Sequence, residues 1–224
     1  MIAPSMVTTK ASLTDALDSL FQAEREARRW HDELVAHGEA DRDGLVAALR
    51  RSVVAAEAED DDEANARLVA LARLLGELEG PDVADLLIDV LASEHPEARR
   101  ESGEHLQGLA FDRFKEVALA VERALDRLPI DSPALVELPF VLVDVPEGGV
   151  VKLLTMFLEN EDPDVVAAAI EALAEVGDPA AIKPLSDLER DDRVAALGDD
   201  DGAVQVTISE LAADAIAMLS GDAP

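Results

Sequence analysis

Apolar and polar residues recur with a helical period along almost the whole chain. The clearest stretch opens at Asp162, where Val165, Val166, Ala169, Ile170, Leu173 and Val176 fall on one stripe. Asp162 suits an N-cap, Pro163 the first helical turn and Gly177 the C-cap. A shorter amphipathic helix then starts near Asp178-Pro179 and carries Ile182, Leu185 and Leu188. The same reading predicts helices over 12–37, 41–58, 63–79, 82–92, 96–109, 112–128, 133–145, 149–159, 163–176, 179–189 and 204–219. Period-2 alternation is almost absent, which argues against strands.

The pattern also repeats. A shift of 98 residues lays Leu173 on Leu75, Glu175 on Glu77, Val176 on Leu78, Pro179 on Pro81 and Leu185 on Leu87. Three periods of about 33 residues fit this shift. Intermediate copies open where that period places them, at His95-Pro96-Glu97-Ala98-Arg99 and at Ser132-Pro133-Ala134-Leu135. A last half-copy follows Asp199-Asp200-Asp201-Gly202, with Val206, Ile208, Leu211, Ala215, Ile216 and Leu219 as its stripe.

Asp162 to Leu188 resembles a HEAT-type repeat, in particular the short variety also found in phycobilin lyases. That pattern reads D-P-x-V-R-x-x-A-x-x-A-L, then a G-D-P turn and a second helix with spaced Leu or Ile. The match rests on Asp162, Pro163, Val165, Ala169, Ala172, Leu173, Gly177, Asp178 and Pro179. It departs at Val166, where the pattern has Arg, and at Ser102, which stands where Ala is usual. The copy over 132–159 is the most divergent, and the likeness spans about residues 62 to 220.

The resemblance implies an all-α fold: a right-handed α-α superhelix, or HEAT-like solenoid, of about five helix pairs with an N-terminal capping helix. The expected organisation is a disordered tail over 1–11, capping helices over 12–60 and a repeat array over 61–221, the last two forming one continuous domain. Ser12 and Asp15 would make a capping box for the first helix. Its stripe of Leu13, Leu17, Leu20, Phe21, Leu34 and Val35 would cover the end of the array. A projecting coiled-coil arm is the alternative, with Glu24 and Arg28 interrupting its heptad seam.

Composition narrows the functions this architecture can serve. The chain has 224 residues, with 49 acidic and 19 basic side chains and a formal net charge of −30. Only 4 of the basic residues are Lys. Nucleic-acid binding rests on clustered cations that displace counterions, so this charge argues against it, as it does against anionic membrane surfaces. A DNA-binding glycosylase of the HEAT-like group would need a basic groove and is excluded on the same ground. At 49% hydrophobic residues the acidity does not mean disorder. The excess of Asp and the shortage of Lys resemble the proteome of a salt-loving microbe. The absence of Cys removes disulfides, thiolate metal sites and a Cys nucleophile. Met1 to Lys10 holds no apolar run of signal-peptide length, and no window approaches the roughly 18 apolar residues of a membrane span. The expected location is the cytoplasm.

In the resembled family the D-P-x-V helix lines the inner, concave face. The resemblance therefore places a protein-binding surface on Arg67, Arg99, Arg100, Glu104, Glu137, Leu138, Val141 and Glu171. The segment Ala134 to Val145 is apolar on every side and contains Pro139, which should bend it. Burial at the centre of the array and exposure as an apolar patch both fit that pattern.

Enzyme signatures are weak. Glu94-His95 and Glu104-His105 invert the His-Glu order of HEAT-like metal hydroxylases and are too few for such a site. His31 and His37 are expected at the surface or in packing. The acidic runs at 59–63, 191–192 and 199–202 lack the spacing of a calcium loop. No catalytic, cofactor or metal site is expected. The expected function is a non-catalytic scaffold that binds another protein bearing a basic patch around an apolar anchor. The alternative is an enzyme or enzyme subunit of the lyase or metal-hydroxylase type. Oligomeric state is left open by the sequence.

Overall fold

The computed structural model describes residues 13–58, 62–198 and 204–221. Ser12 with its expected capping box, the tail before it, and residues 59–61 and 199–202 of the acidic runs lie outside them. The chain divides into two compact units, Met1–Leu45 and Val46–Pro224.

The first unit holds α1 (Leu13–Ala40), a helix of 28 residues. Its leucines, Phe21 and Trp30 are exposed along their stripe. The unit boundary falls inside α2 (Arg42–Glu57), whose Leu49, Val53 and Ala56 are buried in the second unit.

The second unit is an all-α solenoid. Its helices are α3 (Asp62–Gly76), α4 (Pro81–Leu91), α5 (Pro96–Arg127), α6 (Pro133–Leu142), α7 (Val150–Phe157), α8 (Pro163–Val176), α9 (Ile182–Ser186) and α10 (Ile208–Ser220). The first helices of successive pairs stack: α3 on α5, α5 on α6, α6 on α8 and α8 on α10. Each pair leaves an apolar stripe that only its neighbours cover. The core is accordingly small and aliphatic, with Leu68, Leu75, Leu87, Leu106, Leu135, Leu142, Leu154 and Phe157 fully buried.

The caps follow the sequence at the clearest repeat. The Asp162 carboxylate accepts from the Asp164 N–H at 2.9 Å, and Gly177 ends α8 at φ 71°, a left-handed conformation that favours glycine. Asp178 caps the following 3-10 turn, Pro179–Ala181, in the same way. Ser102 in the alanine position is fully buried, and its hydroxyl donates to the Leu87 carbonyl at 2.6 Å. That bond offsets the cost of burying the hydroxyl and ties α5 to α4.

The two helices expected over 96–109 and 112–128 run together as α5 and meet at a kink at Arg113, whose backbone is non-helical (φ −137°, ψ 48°). Two expectations are corrected. The apolar segment is shorter than expected, since α6 stops at Leu142 just after Pro139. The last half-copy does not begin as helix at 204. Instead β1 (Val194–Leu197) pairs antiparallel with β2 (Val204–Thr207), Ala195 opposite Val206, and α10 starts at Ile208. Val204-Gln205-Val206-Thr207 does alternate and is β-branched, but β1 is Val-Ala-Ala-Leu and shows no alternation, so only one strand of the pair carries the period.

A two-stranded hairpin is marginal on its own. Here it is pinned at its base. Arg193 donates from Nη1 to the carbonyls of Asn160 (2.7 Å) and Glu161 (3.0 Å), and from Nη2 to Asp191 (2.6 Å). The Ala196 N–H donates to Asp164 at 2.9 Å. Thr207 and Glu210 form a reciprocal capping box where β2 becomes α10, and the two hydrogen bonds from Thr207 hold the Glu210 carboxyl below its usual range.

Arginine does the same work between repeats elsewhere. Arg73 pairs with Glu101 (2.9 Å), Arg123 with Asp85 (2.8 Å) and Arg127 with Asp89 (2.6 Å). In a chain with 49 acids and 19 bases, these cations sit where they join one helix to the next.

Candidate protein-binding cleft on α5 and α6

Five of the eight expected surface residues converge on one cleft of about 310 Å³. Arg99, Arg100 and Glu104 reach it from α5, and Glu137 and Val141 from α6. The helix period brings Arg100, Glu104 and then Gln107 onto one face of α5, with Gly103 between them. Phe140 closes the far wall and is 40% exposed.

The rim is charged and the floor is apolar. Arg99 Nε pairs with Glu137 Oε1 at 2.8 Å, joining α5 to α6 across the cleft. Arg99 Nη1 also donates to the Ser93 carbonyl at 3.2 Å, which fixes the guanidinium. Arg100 pairs with Glu104 at 2.5 Å, each side chain more than half exposed. Gln107 Nε2 donates to Asp144 at 3.1 Å, just past the end of α6. Between these pairs, Gly103 and Val141 form the apolar floor beside Phe140. A Cβ added at Gly103 would approach only Leu91 Cδ1, at 3.8 Å, so the absence of a side chain there leaves room in the cleft.

The other three expected residues lie elsewhere. Leu138 sits on the buried side of α6 and cannot present to a partner directly. Arg67 is exposed on α3 and pairs with Glu63 at 3.3 Å. Glu171 is exposed on α8 and does not line the cleft. Gly103, Gln107 and Phe140 were missed. The first two share the face of Arg100 and could have been read from helix spacing. Phe140 lies three residues from Glu137 on α6, so the same spacing places it on that residue's face.

A second recess of about 220 Å³ lies between α3, α4 and α5, with His105 backing onto Gly76. His105 Nε2 sits 3.6 Å from Glu101. The Arg73 hydrogen bond holds the Glu101 carboxyl below the usual glutamate range. Among the described residues no group of three or more His, Asp or Glu side chains is placed to hold a metal ion. No described helix is long and apolar enough to cross a membrane.

Residues 106–197 match the family model for HEAT repeats. The HEAT match begins inside α5 and runs to the end of β1, so it includes the divergent copy over 132–159 and the wall that α6 gives the cleft. It supports a HEAT-repeat family for this chain. Two crystal structures of engineered proteins are similar to it. One is 20% identical, covering 96% of this chain and 94% of that chain, with a TM-score of 0.38. The other is 16% identical, covering 96% of each, with a TM-score of 0.37. No curated protein matches.

Proposed function

We propose that this chain is a non-catalytic HEAT-repeat scaffold that binds another protein through the α5–α6 cleft. The observation that carries this reading is the convergence of a charged rim and an apolar floor on successive repeats. The cleft suits one apolar side chain of a partner. The net charge of −30 favours a partner whose anchor is flanked by Lys or Arg. Charge complementarity of this kind raises the association rate more than the affinity, and salt weakens it.

Panning a random peptide library against the folded protein tests the reading. Peptides with an apolar anchor and basic flanks should be enriched. Their binding should fall at least about tenfold in Phe140→Asp, a change expected to leave folding intact because the residue is exposed. Gly103→Trp should block the cleft to the same extent. Enrichment that is equal on wild type and both variants would overturn the cleft as the site. The alternative of a lyase or metal-hydroxylase subunit predicts bound pigment or iron, which absorption spectra and metal analysis of the purified protein check.

A further inference from the structure

The long helix α1 carries a second, independent surface. Leu13, Leu17, Leu20, Phe21, Trp30 and Leu34 are between 40% and 86% exposed. Leu13, Leu17, Leu20, Glu24, Ala27, His31 and Leu34 recur at alternating steps of four and three, which is a heptad seam. With Leu13, Leu20, Ala27 and Leu34 at d and Leu17, Glu24 and His31 at a, the flanking e and g positions hold Thr14, Ala16, Phe21, Ala23, Arg28, Trp30, Val35 and His37. Asp15, Asp18, Arg25, Glu26, Arg29, Asp32 and Glu33 all fall at the outer b, c and f positions. Glu24 and Arg28 alone among the Asp, Glu, Lys and Arg of the helix lie on the seam side.

Those two charges decide the occupant. In a parallel pair, Glu24 would meet Glu24 of a second copy in the core, a like-charge contact. In an antiparallel pair centred between Arg25 and Glu26, Leu17 layers on Leu34 of the second copy and Leu20 on His31. Glu24 then lies opposite Ala27 and beside Arg28 of the second copy, and the symmetry makes this ion pair twice. The flanks also match in size: Trp30 faces the small Ala23, and Arg28 reaches the ring of Phe21, a cation–π geometry. We infer that α1 is a self-association arm that pairs antiparallel with α1 of a second copy of this chain. The interruption of the seam is its specificity device, since it selects orientation at some cost in affinity.

The native chain has no Cys, so cross-linking tests orientation without background. Full-length Leu17→Cys and Leu34→Cys proteins are mixed and oxidised. The mixed 17–34 disulfide should dominate over both homodisulfides. Sedimentation equilibrium of the native chain should show a monomer–dimer equilibrium in the micromolar regime. Glu24→Arg should weaken the dimer about tenfold, and Glu24→Arg with Arg28→Glu should restore it to within about threefold. Thermal unfolding of the repeats should be unchanged in all variants, because these residues are exposed. A monomer throughout, or homodisulfides in excess of the mixed product, would overturn the proposal.

Discussion

Arg193 and Arg29 both carry a guanidinium near a carboxylate, yet their substitutions should differ. Arg29 pairs with Glu33 at 3.7 Å on an open helix face, over half of each side chain in solvent. Such pairs contribute at most a few tenths of a kcal/mol, so Arg29→Ala should change stability by less than about 0.5 kcal/mol. Arg193 instead satisfies two backbone carbonyls of the neighbouring repeat and holds the hairpin base. Losing those charged hydrogen bonds should cost about 1–2 kcal/mol in Arg193→Ala, measured by urea unfolding. Arg73 gives a pH test. Its hydrogen bond lowers the Glu101 pKa in the folded state. A depressed carboxylate stabilises the fold above its unfolded pKa, and that stability is lost as pH falls through the folded value. The stability gap between wild type and Arg73→Ala should therefore be full at neutral pH and shrink below about pH 4, in unfolding curves taken across that range. At this scale the resemblance picked out Arg99, Arg100, Glu104, Glu137 and Val141, and the structure brings them to one cleft. It also picked out Leu138, which is buried, because the neighbours of a largely apolar helix, not its own pattern, decide which side is covered.

Helix α6 shows the same point as an element. Leu138 is fully buried and Phe140, two residues on, is 40% exposed. Leu138→Ala should cost about 2–5 kcal/mol by opening a cavity, and Phe140→Ala less than about 1 kcal/mol, both read from thermal unfolding. Ends of elements were legible where a residue has a single physical role. Gly177 sits at φ 71°, so Gly177→Ala should destabilise by about 1 kcal/mol. The break inside α5 was legible to within a few residues, but the β1–β2 hairpin was not. The hairpin is held by Asp164 and Arg193 reaching across about one repeat length, contacts that no local window contains.

Over the whole molecule, charge and repeat architecture pull in separate directions. The repeats bury Ala, Val, Leu and Ile, while the excess acid lies in turns and on exposed helix positions. Self-repulsion from a net charge of −30 acts over a screening length of about 30 Å at 0.01 M salt and about 3 Å at 1 M. Salt also weakens the inter-repeat ion pairs, but these are few and each is worth at most about 1 kcal/mol where exposed. Relief of repulsion should win, so the melting temperature should rise as salt is added toward the molar range. A fall would place the ion pairs above the repulsion in importance. The central claim is that binding belongs to the α5–α6 cleft, where the acidic surface gives way to an apolar floor. Amide chemical-shift mapping, during titration with a peptide selected by panning, tests it most directly. The account predicts perturbations clustered at Gly103, Gln107 and Phe140. A bound peptide that leaves those residues unmoved would contradict it.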